Sequence, residues 1–142
     1  GNQMRVIDAS NAIYGRLSAH VAKQLLDGET IKIVNADKCV ITGSKDFIID
    51  DFEKRRDIGS VRKGPYYPRT PDQILRRSIK NMLPSKKTHG KEALARCLVY
   101  CGVPSELKDA KVETIDAAKN KRLSNFITLS EISERLGYKV RL

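Results

Sequence analysis

Leu17, Val21 and Leu25 recur every four residues, with Ala22 and Leu26 beside them, while His20, Gln24 and Asp27 fall on the other side. This spacing predicts an amphipathic helix, preceded by a short strand at residues 5–8. Ser10 or Asn11 is placed to cap that helix and Gly28 to stop it. His20 is then a solvent-facing side chain. TIKIV, at residues 30–34, reads as a second strand, and residues 39–41 form a third apolar run. The polar break between them, residues 35–38, is short beside the dozen or so residues of a parallel crossover, so the third strand's direction stays open. Gly43 and Ser44 open a helix that runs through Ile48, Ile49 and Phe52 to Lys54, Arg55 and Arg56.

Residues 57–69 are loop-like, broken by Gly59, Gly64, Pro65 and Pro68. Thr70-Pro71-Asp72-Gln73 starts a helix in capping-box form, with proline at the first helical position. Its stripe is Leu75, Ile79 and Met82, flanked by Ile74 and Leu83 and docked on the core. Arg76, Arg77 and Lys80 fall on the opposite, outward side. Pro84 ends it. The loop SKKTHG follows, then a short helix over residues 91–96 and a fourth strand over residues 97–101, closed by Gly102 and Pro104. Residues 105–125 are polar and weakly patterned. Thr128-Leu129-Ser130-Glu131 is another capping box, opening a helix with Leu129, Ile132 and Leu136 that ends at Gly137. Strands alternating with helices predict an α/β fold with a largely parallel sheet.

A length of 142 residues suits one domain with one core, and a 40% hydrophobic fraction argues against wholesale disorder. No apolar run approaches the roughly 20 residues of a membrane span. GNQMRVIDAS lacks the basic-then-apolar order of a signal peptide, so a cytoplasmic protein is expected. Cys39, Cys97 and Cys101 do not form a disulfide framework, being odd in number. They read as buried thiols and not as a metal site, because no second ligand pair has zinc spacing; as strand residues, Cys97 and Cys101 would face the same side. The charge distribution adds more. Residues 54–91 hold 12 Lys or Arg against two acids, whereas the remainder carries 15 of each, so the net +10 lies in one central segment. A concentrated excess makes a positive potential suited to a polyanion.

Most catalytic chemistry is missing. The turn after the first strand, IDASNAIYGRL, has neither G-x-G-x-x-G nor G-x-x-x-x-G-K-[ST]. Asp8 there reads as a loop-bonding residue. No G-x-S-x-G accompanies His20 or His89, and Asp50 and Asp51 diverge by about 100° on a helix, so they share no site. No helix-turn-helix, zinc-finger or basic-zipper pattern points to DNA. Basic residues interleaved with Tyr66 and Tyr67 remain. Lys and Arg neutralise phosphates, and the tyrosines either stack on bases or pack on the core.

These residues bring a family into view. "VIDASNAIYGRLSAHVAKQLLDG", "IVNADKCVITG", "YYPRTPD", "IKNMLPSKKTHGK" and "LVYCG" occur in an order that resembles large-subunit ribosomal protein L13, over residues 5–102. The most specific element is Met82-Leu83-Pro84, a short basic loop and Gly90, followed by an aliphatic-aromatic strand. The form "YYPRTPD" is similar to archaeal or eukaryotic members. Asn81 stands where Gly or a basic residue is usual, and Cys97 where an aliphatic one is usual. The resemblance implies a single three-layer α/β/α domain, residues 1–142, around a four-stranded, mostly parallel sheet. It implies a non-enzymatic structural constituent of the large ribosomal subunit, bound to large-subunit rRNA and to neighbouring ribosomal proteins, with no cofactor, metal, membrane or small-molecule substrate. The expected RNA contacts are Lys54, Arg55, Arg56, Arg62, Lys63, Tyr66, Tyr67, Arg69, Arg76, Arg77, Lys80, Ser85, Lys86, Lys87, Thr88, His89, Gly90 and Lys91, most of them holding phosphates and not reading bases. The competing readings are a regulatory RNA-binding module acting away from the ribosome and a nucleotide-binding α/β enzyme.

Overall fold

A computed structural model describes residues 4–59, 68–84, 86–121 and 125–138; of residues 56–59 it describes only the backbone. Residues 60–67 of the loop predicted over 57–69 lie outside the described residues. Strand β1 (Met4–Asp8) leads into helix α1 (Tyr14–Leu26) and back into β2 (Thr30–Val34), which pairs in parallel with β1 from Met4↔Thr30 to Asp8↔Val34. Helices α2 (Lys45–Gly59), α3 (Pro71–Asn81) and α4 (Thr88–Ala95) follow, with a short strand β3 (Val40–Thr42) before α2. Then come β4 (Cys97–Val99), β5 (Val112–Glu113), β6 (Phe126–Thr128) and α5 (Leu129–Arg135). The main sheet is four-stranded, parallel throughout, in the order β4-β2-β1-β5.

One face of that sheet presents Ile7, Ile31, Ile33 and Cys97, all buried. They join Leu17, Val21 and Leu25 of α1 and Ile74, Leu75 and Ile79 of α3 in one continuous core. On the opposite face a smaller cluster forms, where Val6 and Val34 meet Leu107 from a single 3-10 turn, Ser105–Leu107, with Tyr100 packed beside it. The α/β expectation and the four-stranded parallel sheet both hold.

The membership of the sheet differs from the sequence reading. The third apolar run, as β3, leaves the main sheet and pairs antiparallel with β6, Val40↔Thr128 to Thr42↔Phe126. No crossover through residues 35–38 is needed. That break is a 3-10 turn, Ala36–Lys38, entered through Asn35 at φ 58°. Its polar groups stitch the carboxyl ends of three strands. Asn35 Nδ2 donates to Asp8 Oδ1 at 3.0 Å, the amides of Asn35 and Ala36 donate to Gly102 O and Tyr100 O, and Asp37 Oδ1 accepts from Gly102 N at 2.8 Å. The place expected for the third apolar run is taken by β5, from the weakly patterned stretch. Two exposed residues carry no alternation for a sequence reading to find.

Smaller departures have local causes. Helix α1 begins at Tyr14, not at a Ser10 or Asn11 cap, because Asn11 takes φ 57° and its side chain donates to Asn120 O at 3.2 Å. Helix α2 continues to Gly59, past the predicted end, and α4 starts at Thr88, not Lys91. Thr70 makes no side-chain cap bond, though Pro71 does open α3; Thr128 does cap α5, accepting from Glu131 N at 3.1 Å. Met82 is 44% exposed, because α3 ends at Asn81 and the following turn sends Leu83 inward in its place. His20 is exposed, as predicted.

All three cysteines are free. Burial pushes Cys39, whose thiol meets Ala12 O at 3.2 Å, up to about 12, and Cys97 up to about 11. Strand β4 stops at Val99, so Cys101 does not share a strand with Cys97. It faces Asp72 in the first turn of α3, and burial with that carboxylate raises it to about 12.

Asp8 bonds to the loops, as its position predicted: it accepts from Ser10 N at 2.9 Å as well as from Asn35. Partial burial pushes its carboxyl up, but those hydrogen bonds and nearby Lys38 outweigh it, and the net shift is below the ordinary 3.8. A depressed carboxyl stabilises the fold above its unfolded-state value and loses that contribution as pH falls through the folded value. Asp8→Asn is therefore expected to lower stability at neutral pH and to make its decline below about pH 4 shallower. Denaturant titrations at stepped pH check this; an acid limb of unchanged steepness would remove Asp8 from the account.

Candidate nucleic-acid interface

The basic segment is mounted on α2, α3 and α4, and its charges are not equivalent. On α2, Lys54 Nζ lies 3.1 Å from Asp50 Oδ2, and Arg55 Nη2 lies 2.8 Å from Asp51 Oδ2, each pair one helical turn apart. Arg55 also sits over the Phe52 ring at 5.7 Å. The two carboxylates that share no catalytic site thus each hold a cation. Such exposed pairs contribute about 0.3–0.5 kcal/mol, so a phosphate can replace the carboxylate at little cost. The excess of 12 over two begins just past Asp46, Asp50, Asp51 and Glu53, and those acids offset its leading edge.

Helix α3 has its apolar side, Ile74, Leu75 and Ile79, fully in the core. Lys80 is exposed and Arg77 half-buried. Arg76, expected beside them, turns the other way. Its Nη2 donates to Leu94 O at 3.2 Å and its Nε to Cys97 O at 3.4 Å. At 100° per residue Arg76 follows Leu75 onto the flank of the apolar stripe, next to the α4–β4 junction, where two carbonyls need donors. It ties α3 to that junction. Arg69, just before α3, places its guanidinium 5.0 Å from the Tyr138 ring, and its carbonyl accepts from Ser133 Oγ at 2.7 Å, anchoring the entry of α3 to α5.

After Pro84 the chain turns directly into α4. Lys87 N donates to Pro84 O at 3.0 Å, and Lys87 O accepts from Gly90 N and Lys91 N. Gly90 is therefore buried and its amide is used, which corrects its expected role as an RNA donor. Its lack of a side chain has another purpose: a methyl group there would run into the Pro84 carbonyl oxygen, with the carbonyl carbon only 2.7 Å away. Proline followed six residues later by glycine is the sequence signal for this close crossing. Lys86, Lys87, Thr88, His89 and Lys91 all remain exposed around the start of α4. Lys87, at the N-cap of α4, makes no side-chain cap bond, and its ammonium lies with those of Lys86 and Lys91 around the positive end of the helix.

The structure thus brings Arg77, Lys80, Lys86, Lys87, Thr88, His89 and Lys91 onto two consecutive helices and their junction. Lys54, Arg55 and Arg69 are set on other supports and partly engaged. The side chain of Arg56, and Arg62, Lys63, Tyr66, Tyr67 and Ser85 entirely, lie outside the described residues. Among the described residues no cluster of His, Cys, Asp or Glu could hold a metal ion.

Two substitutions separate support from surface. Gly90→Ala gains up to about 1 kcal/mol of helix propensity but overpacks against backbone at a cost of about 3 kcal/mol, so a net loss of about 2 kcal/mol is expected in chemical denaturation. Arg76→Ala removes two donors from buried-side carbonyls and is expected to cost about 1–2 kcal/mol, whereas Lys80→Ala stays within about 0.5 kcal/mol. Equal stabilities for the two variants would return Arg76 to the outward face.

The family model for ribosomal protein L13 matches residues 2–106. The chain is similar to the large ribosomal subunit protein uL13 of Thermoplasma acidophilum, at 63% identity over 94% of this chain and 98% of that protein. It is 63% identical to the protein of the same name from Picrophilus torridus, over 94% of this chain and 97% of that one. The corresponding protein of Methanosarcina barkeri is 48% identical, over 96% of this chain and 99% of its own length.

Proposed function

The chain belongs to the ribosomal protein L13 family, and from that premise we propose that it is a structural, non-enzymatic constituent of the large ribosomal subunit in the cytoplasm. It binds large-subunit rRNA, supports its assembly and sits among other large-subunit proteins. The observation that carries this reading is the near-complete overlap, at 63% identity, with relatives that bear that name. The charge distribution supports it from the chain's own chemistry, since the whole net charge lies in the segment that α2, α3 and α4 display. None of the described helices is long and apolar enough to cross a membrane.

The contacts proposed as principal are Arg77, Lys80, Lys86, Lys87 and Lys91, with Thr88 and His89 adding neutral donors at the start of α4. Lys54, Arg55 and Arg69 contribute by exchanging an intramolecular partner for a phosphate. Arg56, Arg62, Lys63, Tyr66, Tyr67 and Ser85 belong to the proposed surface on their sequence alone. Arg76 and Gly90 act behind it. Residues 1–142 serve as one unit, and no small-molecule substrate enters the role.

Phosphate contacts release counterions, so affinity for rRNA falls steeply with salt, and each lost contact lowers the slope of log affinity against log salt by about one unit. Replacing Lys80, Lys86 and Lys87 with alanine is expected to lower that slope by about three units while leaving the unfolding midpoint in place. An unchanged slope would show that this surface faces away from RNA. Co-sedimentation with large subunits after a high-salt wash tests the role itself, and a chain found wholly in the free fraction would overturn it.

A further inference from the structure

A second basic site lies apart from the central segment. In the main sheet the chain leaves β1 toward β2 and β4 on one side and returns to β5 on the other. The strand order therefore reverses between β1 and β5. In open α/β sheets the crevice beyond the carboxyl ends of two such strands is where ligands bind. Beside the paired segments that follow β1 and β5 lies a cavity of about 310 Å³, large enough for one small organic group. Its rim carries Arg16 from the first turn of α1 and Lys119 and Lys121 from beyond β5, against a single acid, Asp116. Ile13 and Ala117 supply apolar wall, and the end of β3 closes one side. None of these residues belongs to residues 54–91.

The frame around the cavity is backbone-built. Ile13 N donates to Ala118 O at 2.7 Å, Asn120 N donates to Asn11 O at 2.9 Å, and Val40 N donates to Ala12 O at 2.9 Å. Three chain segments are thereby locked side by side. Arg16, Lys119 and Lys121 form no ion pair among the described residues, in contrast to Lys54 and Arg55. Three cations, one acceptor carboxylate and a small apolar wall complement a nucleotide: phosphate oxygens for the cations, a base amino group or ribose 2′-hydroxyl for Asp116, and a base face for Ile13 and Ala117.

We propose that this cavity at the β1–β5 reversal receives a single unstacked nucleotide of the bound RNA, its phosphate held by Arg16, Lys119 and Lys121. The proposal rests on the RNA-binding role given above and adds a second, separate point of attachment to it. Two separate points of attachment set the orientation of the protein on RNA, which one basic patch does not.

The test is lysine-acylation footprinting of the full chain, free and bound to purified large-subunit rRNA, with Lys86 and Lys87 as internal references. Protection of Lys119 and Lys121 together with Lys86 and Lys87 is expected. Protection of Lys86 and Lys87 with Lys119 and Lys121 unchanged overturns the cavity proposal and leaves the RNA-binding role standing; protection of none overturns both. In parallel, the variant Arg16→Ala/Lys119→Ala/Lys121→Ala is expected to fold normally and to lower the salt slope by about two to three units, additively with the α3–α4 variant. No change in slope counts against the site. Adenosine 5′-monophosphate, titrated by NMR, separates a nucleotide of the RNA from a free one: displacement from the cavity by rRNA is expected, and occupancy that rRNA leaves untouched overturns the proposal.

Discussion

Ile74, Leu75 and Ile79 of α3 are sealed into the same core as α1 and the central strands, and the display of charge depends on that burial. A helix of 11 residues carrying three cations would not persist alone in water, because isolated helices of that length are marginal and like charges one turn apart repel. Burying three aliphatic side chains, each worth about 1.5–3 kcal/mol, supplies what local propensity does not. The same burial fixes the azimuth of the helix. With its apolar side committed to the core, Lys80 has no direction left but outward, and the turn into α4 begins from a fixed point. The outward placement of Lys80 is thus a consequence of core packing.

Support for α3 and α4 comes from polar groups that look interchangeable with the outward-facing cations in the sequence. Arg76, expected on the outward side, spends its donors on Leu94 and Cys97 carbonyls inside the molecule. Lys87 faces solvent by its side chain while its carbonyl holds the first turn of α4. Arg69 steadies the entry to α3 through Tyr138 and Ser133. A guanidinium beside a helix end finds unpaired carbonyls as readily as it finds phosphate, and which it takes depends on the path of the next element.

This is where sequence reading succeeded and where it ran out. Strand β1, helix α1 and strand β2 were legible because period-four and alternating patterns are local and long enough to register. The docking stripe of α3 was legible for the same reason, as were the free cysteines and the loop-bonding Asp8. The pairing of β3 with β6 was not, since Ile41 and Ile127 lie 86 positions apart and meet only through the fold. The two residues of β5 gave no periodicity, although their backbone completes the sheet. Gly90 was grouped with the RNA donors because a glycine in a basic loop resembles an open amide; the need for close approach to Pro84 appears only in three dimensions. Asp50 and Asp51, diverging on the helix, share no catalytic site; each holds a cation one turn away, Lys54 and Arg55.

The three buried or half-buried thiols have a practical consequence. With values of about 12, 11 and 12, they hold almost no thiolate at neutral pH, and thiolate is the form that reacts with electrophiles and disulfides. The native chain is therefore close to a blank background for chemical labelling. A single cysteine introduced at an exposed position could carry a fluorophore or a cross-linker without first removing Cys39 and Cys97, which help fill the core, or Cys101.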